Sequence, residues 1–116
     1  MTTGYEVVAY ETSATAVIVL TGQVDRQAAD ALASSYEAAV AMDPSTVVLD
    51  FNSVDYINST GIALIVSLLG RARAERRAVH AAGLTDHYRH VFDITRLSDF
   101  IQVFSDVDAA VGSATS

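Results

Sequence analysis

Apolar and polar residues alternate along this chain in short runs that predict five β-strands and four α-helices. Residues 5–10 and 14–20 are rich in valine and isoleucine and are separated by three polar residues, which is typical of an antiparallel strand pair. Three further apolar runs predict strands at residues 47–51, 78–82 and 100–104. Apolar residues at helical spacing, flanked by capping residues, predict helices over residues 26–42, 59–77, 85–95 and 106–111.

The predicted order of elements is ββαβαβαβα. Because strands alternate with helices after the first pair, we expect parallel strands joined by helical crossovers. Residues 47–51 are almost entirely apolar, as in a central strand covered on both faces. The sequence therefore predicts one α/β domain, with a mostly parallel sheet, one antiparallel edge strand and helices packed on the sheet. Its ordered core is expected over about residues 4–112, with a polar loop at 52–58 and a frayed tail at 112–116.

Composition narrows the possible functions. With 116 residues, 51% apolar and 18% charged, the chain suits one folded domain and excludes a disordered one. Cysteine and lysine are both absent, which excludes disulfides, thiol nucleophiles, a Walker-A lysine and Schiff-base chemistry. The net charge of −7 disfavours nucleic acids and anionic membranes as partners. We see no signal peptide or segment long enough to span a membrane, and we expect a cytoplasmic protein.

Candidate catalytic or metal-binding groups are few. Asp50 and Asp55 flank the predicted polar loop and would suit an acid–base pair, although carboxylates at strand ends are more often turn formers. His87 and His90 have the i,i+3 spacing of metal ligands but lack a third ligand, which favours surface histidines. His80 alternates with apolar residues, as a packed strand residue does. We therefore expect neither an enzyme nor a bound cofactor or metal.

Four arginines, at positions 71, 73, 76 and 77, crowd the end of the second predicted helix. Cations at that end oppose the negative end of the helix dipole, which explains the cluster without a ligand. A contact with an acidic partner is the alternative.

The second predicted helix begins with Asn58-Ser59-Thr60-Gly61, and either Asn58 or Ser59 is its expected N-cap. One apolar stripe is expected to face the sheet, and it consists of Ile62, Ile65, Val66 and Leu69. Leu64 and Leu68 form a second stripe. Either this helix is covered on two sides, or the second stripe is an exposed patch that receives a partner.

Residues 47–51 and the following Val-Asp-Tyr-Ile-Asn-Ser-Thr-Gly-Ile at 54–62 resemble the signature of STAS domains, specifically the bacterial anti-sigma factor antagonists. That family's pattern is a strand ending in Asp-Leu, a short loop, and Asp-Ser-Ser/Thr-Gly-Leu/Ile opening a helix. Leu-Thr-Gly-Gln-Val-Asp at 20–25 resembles its upstream turn, and residues 97–104 resemble its closing strand. The resemblance spans essentially the whole chain, residues 1–116, in the same order.

The resemblance implies an interaction protein that is switched by phosphorylation. In that family a serine kinase, which is also the anti-sigma factor, phosphorylates the first hydroxyl residue of the motif, here Ser59, with Thr60 as the fallback. The unphosphorylated form binds the kinase and frees the sigma factor, and a phosphatase resets the cycle. Ten residues around this helix start are the implied partner-binding set: Asp25, Asp55, Tyr56, Ile57, Asn58, Ser59, Thr60, Gly61, Leu64 and Leu68.

Two residues depart from the family pattern. Asn58 replaces the usual acidic residue, which keeps the turn-forming geometry but removes a charge beside Ser59. Arg96 stands where many members have glycine. The alternatives to a sigma-factor regulator are a scaffold subunit of a signalling assembly and a domain that senses a small molecule or nucleotide. We expect a monomer or a weak homodimer.

Overall fold

The computed structural model describes residues 6–10 and 14–114, with side chains described over 14–112. The strands are β1 (Glu6–Tyr10), β2 (Thr15–Val24), β3 (Thr46–Ile57), β4 (Ala78–Ala82) and β5 (Gln102–Phe104). The helices are α1 (Ala29–Val40), α2 (Ser59–Ala74), α3 (Asp86–Ile94) and α4 (Val107–Ala114). Short 3₁₀ turns precede α1 and β5 at Arg26–Ala28 and Leu97–Asp99. The element order is the one that the hydrophobic pattern predicts.

The five strands form one sheet in the order β1-β2-β3-β4-β5. β1 is at one edge and pairs antiparallel with β2, while the three remaining pairs are parallel. β3 occupies the centre, and its first residues are buried on both faces, as the apolar run at 47–51 requires. The predicted α/β class, with a mostly parallel sheet and packed helices, is confirmed.

Helices cover both faces of the sheet. On one face α1, α2 and α3 cover the main core, which includes Ile18, Leu49, Tyr36, Ile65 and Phe92. On the other face α4 covers a smaller cluster centred on residues 17, 48, 82 and 110. Alternate residues of β3 therefore belong to different cores, which is why this strand reads as one continuous apolar run.

The predicted polar loop at 52–58 is wrong, because β3 continues through it to Ile57. The register against β2 slips twice: Val19 faces Asp50 but Thr21 faces Ser53, and Gly22 faces Val54 but Gln23 faces Tyr56. Each slip places one extra residue in β3, so these are β-bulges. Bulges interrupt the two-residue alternation, and that interruption is what made a strand look like a loop.

The apolar stripes of α2 are also not as expected. Val66, expected to face the sheet, is 49% exposed, whereas Leu68 is only 6% exposed and belongs to the main core. Leu64 is half-buried against the same core. The cause is that α2 packs on α1 as well as on the sheet, so its buried face is turned toward Leu68. The assignment of Leu68 to an exposed partner surface is therefore wrong.

Several element ends differ from the predicted ones. β2 continues to Val24, four residues past the predicted end of the strand, and a 3₁₀ turn precedes the first helix. α2 ends at Ala74 because Arg76 adopts a left-handed conformation, with φ of 61°, which ends a helix. α4 continues to Ala114 across part of the predicted tail. The predictions for residues 4, 5, 11–13, 115 and 116 lie outside the described residues.

Candidate functional site

The candidate site lies where β2 and β3 extend beyond the rest of the sheet. β3 pairs with β4 only as far as Asp50, opposite Ala82, but it pairs with β2 as far as Ile57, opposite Val24. The last residues of β2 and β3 therefore form a two-stranded ribbon that projects past β4. α2 begins two residues after this ribbon ends, so the start of the helix lies at its tip.

Asn58 joins the ribbon to α2. Its backbone N–H donates to the carbonyl of Val24 at 3.3 Å, and its side-chain oxygen accepts the N–H of Gly61 at 2.8 Å. Its carbonyl also accepts the N–H of Ile62 at 2.9 Å. Asn58 is therefore the N-cap of α2, and it makes the cap that an aspartate would make, without the charge.

Gly61 allows the first turn of α2 to lie directly against the end of β2. A Cβ at this position would overlap the carbonyl oxygen of Val24 and lie 2.7 Å from its carbonyl carbon. It would also lie 3.1 Å from a methyl group of Ile57. The glycine of the motif is thus needed for close backbone contact, because any side chain would push the helix off the strand.

Ser59 and Thr60 are the first two residues of α2, and both side chains are exposed. Their N–H groups belong to the first turn, where a helix has no internal acceptors. No acidic residue lies in the first turn of α2. An anion on Ser59 would therefore meet unpaired N–H groups and the positive end of the helix dipole.

The remaining residues implied by the resemblance divide by burial. Asp55 and Tyr56 are exposed on the ribbon, and Tyr56 is 51% accessible. Asp25 is half-buried directly after Val24, and its carboxylate accepts the N–H of Gln27, which caps the 3₁₀ turn before α1. Ile57, Gly61 and Leu68 are buried. These three residues therefore lie beneath the exposed residues of the site and are not accessible to a partner.

Tyr88 is a residue of this site that sequence reasoning missed. It lies in the first turn of α3, whose N-cap is Thr85, and its hydroxyl oxygen accepts the N–H of Ile57 at 2.9 Å. This bond ties α3 to the last residue of the ribbon. The two residues are 31 positions apart, so no local pattern in the sequence pairs them.

The alternative catalytic pair is not assembled. Asp50 and Asp55 are five residues apart in one extended strand, which separates them by roughly 15 Å. The carboxylate of Asp50 instead accepts two hydrogen bonds from Asn52, its backbone N–H at 2.9 Å and its side-chain amide at 2.7 Å. These bonds span the first bulge of β3, so Asp50 shapes the strand and is a local turn former.

The histidines agree with their simpler interpretations. His80 is buried, with Nδ1 3.3 Å from the carbonyl oxygen of Ala110 and its ring 5.0 Å from that of Phe104. Burial lowers the pKa of His80. His87 and His90 are exposed on α3. Across residues 6–10 and 14–114, no three side chains of the metal-ligating types converge.

The arginines at the end of α2 divide into two groups. Arg71 pairs with Glu37 and Glu75, and Arg77 pairs with Glu75 and Asp43. Glu75 also accepts the hydroxyl of Tyr36 at 2.9 Å, which fixes α1 to α2. Burial and this bond raise the pKa of Tyr36 to about 12, and the same bond lowers that of Glu75. Arg73 and Arg76 line a cleft together with Arg77.

Comparisons with known proteins agree with this fold. The family model described as "Mlab, STAS domain" matches residues 8–103. The anti-sigma-B factor antagonist of Listeria monocytogenes serovar 1/2a is 27% identical over 86 residues, which cover 74% of this chain and 75% of that protein. Within the described part of the chain, no helix has both the length and the apolar character needed to cross a membrane.

Solved structures of low sequence identity share the fold. An anti-sigma factor antagonist from Mycobacterium paratuberculosis superposes with a TM-score of 0.79 at 22% identity, over 99% of this chain and 96% of that one. The Bacillus cell fate determinant SpoIIAA in its phosphorylated form gives 0.72 at 18% identity, over 95% and 98% of the two chains. The Listeria protein and the Mycobacterium protein are both anti-sigma factor antagonists. The chain therefore belongs to the STAS domain family, within which it is similar to the anti-sigma factor antagonists.

Proposed function

We propose that this protein is a cytoplasmic anti-sigma factor antagonist that binds an anti-sigma factor and is switched by phosphorylation of Ser59. The observation that supports the proposal is an exposed serine at the first position of α2, at the tip of the projecting ribbon. This serine lies within the motif at residues 54–62, on which the family resemblance rests. One relative in fold, the Bacillus determinant, exists in a phosphorylated form.

The partner surface consists of the exposed residues around this serine. We assign to it Asp55 and Tyr56 of the ribbon, Ser59 and Thr60 of α2, and the half-buried Asp25, Asn58 and Leu64. Tyr56 is the expected anchor, because an exposed tyrosine combines a large apolar area with a polar tip. Tyr56→Ala should weaken partner binding more than it lowers the free energy of unfolding, since half of the side chain is exposed in the isolated domain.

A phosphate on Ser59 is compatible with the fold. It adds about −1.5 to −2 charges at a position where helix N–H groups and the helix dipole favour an anion. Because Asn58 carries no charge, the phosphate escapes the repulsion that the family's usual acidic residue would exert. The switch therefore acts on the partner: the added charge would have to be desolvated in the complex, at a cost of several kcal/mol.

The proposed regulatory cycle is the one that the family resemblance implies. The unphosphorylated protein binds the anti-sigma factor and releases the sigma factor, and the kinase activity of the anti-sigma factor reverses this by modifying Ser59. A phosphatase then restores the binding form. Each ~1.4 kcal/mol of desolvation cost lowers affinity tenfold, so we expect phosphorylation to weaken binding by about 100-fold or more.

The experiment compares capture of partners from native cytosol by wild type, Ser59→Ala and Ser59→Asp, with intact-mass analysis of each recovered protein. Ser59→Ala should retain a kinase-fold partner, Ser59→Asp should lose it, and wild type should carry a phosphate that maps to Ser59. The matched control is Ser45→Asp, which adds the same charge to an exposed serine at the opposite end of β3.

Some outcomes would reject the switch. If the three proteins retain the same partner equally and neither Ser59 nor Thr60 carries phosphate, the protein is a scaffold or a sensor. If Ser45→Asp loses the partner as Ser59→Asp does, the effect belongs to overall charge and not to the start of α2.

A further inference from the structure

A cleft of about 820 Å³ opens beside the last turns of α2. Its walls come from α2, from the first residues of β4, and from the segment between α3 and β5. Since a helix rises 1.5 Å per residue, Arg73 in this cleft lies roughly 20 Å from Ser59 along α2. The cleft is therefore separate from the proposed partner surface, and its volume is that of a typical small-molecule site.

Positive charge is concentrated at this cleft in an otherwise acidic protein. The chain has seven arginines and a net charge of −7, and four of the arginines line the cleft: Arg73, Arg76, Arg77 and Arg96. Arg77 is held by Glu75 and Asp43, and Arg96 reaches Asp99, the one acidic residue of the lining. In the described part of the chain, Arg73 and Arg76 have no acidic partner. Their charges are thus available to a ligand.

Apolar side chains are exposed directly beside these charges. Phe100 is 60% exposed and Val66 is 49% exposed, and both line the cleft. The guanidinium of Arg73 lies 5.7 Å from the centre of the Phe100 ring, as in a cation–π contact. Exposed apolar side chains with a cation beside them suit a ligand that has both an apolar body and an anionic group.

Local structure alone does not account for the arginines here. The helix dipole explains cations in the last turn of α2, but Arg96 lies on a different element, before the 3₁₀ turn that precedes β5. Arg76 and Arg96 both have left-handed backbones, with φ of 61° and 66°, where glycine is less strained. Among the described residues, two of the four non-glycine positions with a positive φ therefore bring an arginine to this cleft.

We propose that this cleft binds a small organic anion whose phosphate, or similar doubly charged group, is held by Arg73 and Arg76, with Arg96 and its partner Asp99 beside them. Arginine suits this role because its planar guanidinium can donate two parallel hydrogen bonds to one phosphate. The apolar body of the ligand rests on Phe100 and Val66. This site does not depend on the phosphorylation of Ser59.

The test is a calorimetric titration of the full chain with 1-naphthyl phosphate, inorganic phosphate and 1-naphthol. We expect saturable binding of 1-naphthyl phosphate, with affinities for phosphate alone and for naphthol alone each at least about tenfold lower, because each has half of the recognised features. The double variant Arg73→Gln/Arg76→Gln should weaken binding of 1-naphthyl phosphate by at least about tenfold.

The matched control is Arg26→Gln/Arg89→Gln, which removes the same charge from two exposed arginines outside the cleft. It should bind like wild type, as should Ser59→Asp. Phe100→Ala should lower the affinity for 1-naphthyl phosphate but not that for inorganic phosphate. Thermal unfolding of each variant establishes that it remains folded.

The proposal is overturned if 1-naphthyl phosphate does not bind, or if the two double variants weaken it equally, because overall charge then explains the effect. It is also overturned if inorganic phosphate binds as tightly as 1-naphthyl phosphate, since the apolar surface then contributes nothing. None of these outcomes bears on the switch at Ser59, whose test uses different variants and a different partner.

Discussion

At the scale of single residues, the start of α2 depends on two residues, one through its side chain and the other through the lack of one. Asn58 contributes a side-chain oxygen that caps the helix, and Gly61 contributes the absence of a side chain, so that the helix can contact the carbonyl of Val24. Neither the cap made by Asn58 nor the close contact at Gly61 depends on a partner. Together they fix where the Ser59 hydroxyl emerges, so part of the motif is a structural support for the residue that carries the proposed function.

Gly61→Ala should lower the free energy of unfolding by about 2 kcal/mol, because its methyl group would overlap rigid backbone. This loss exceeds the gain of up to about 1 kcal/mol that alanine gives over glycine inside a helix. Gly70→Ala is the control, since Gly70 is also in α2 and has nothing within 4 Å of an added Cβ. That variant should be more stable than wild type in urea denaturation. Equal stability of the two variants would contradict the close contact at Gly61.

At the scale of elements, the prediction from sequence succeeded for strands that are apolar along most of their length. The apolar run at 47–51 and the strand at 78–82 lie where the pattern placed them, because each is covered on both faces. The order of elements followed from the alternation of short apolar runs with longer helical ones. The cap at Asn58 was one of two options, and local chemistry could not choose between adjacent capping residues.

The prediction failed where contacts between residues distant in sequence determine the structure. The bulges of β3 are defined only by pairing with β2, some 30 residues away, so residues 52–57 looked like a loop. The buried face of α2 is set by α1 as well as by the sheet, which one helix's own sequence does not reveal. The hydrogen bond from Ile57 to Tyr88 and the arginine cleft are likewise products of tertiary structure.

Leu68→Glu tests the corrected packing of α2. Because Leu68 is 6% exposed within the main core, a glutamate there loses apolar contacts and buries a charge, which should cost about 3 kcal/mol. Val66→Glu, two residues earlier and 49% exposed, should change the free energy of unfolding by less than about 0.5 kcal/mol. Urea denaturation measures both. If Leu68→Glu is as stable as wild type, Leu68 is not a core residue and the corrected packing of α2 is wrong.

At the scale of the whole molecule, α2 separates two regions of different chemistry. Its first turn faces the ribbon, where Asp25 and Asp55 accompany Ser59, and its last turns lie beside four arginines. A phosphate on Ser59 adds negative charge to the first region only, about 20 Å from the second. Over that distance, salt at physiological concentration screens the interaction, since the Debye length is about 8 Å. The two proposed sites are therefore expected to act independently.

The global stability should also depend on pH through His80, which lies between the sheet and α4. Burial lowers the pKa of this imidazole below its ordinary value of 6.5, so the folded protein holds it neutral while the unfolded chain protonates near pH 6.5. Between those two pKa values the unfolded state binds more protons, and stability falls as the pH decreases, by at most about 1.4 kcal/mol per pH unit. His80→Gln should flatten the decline between about pH 7.5 and 5.5 in urea denaturation, whatever its effect on stability at neutral pH. His87→Gln, which removes an exposed histidine of α3, should keep the wild-type slope. If His80→Gln retains that slope as well, the decline in stability comes from other groups and not from His80.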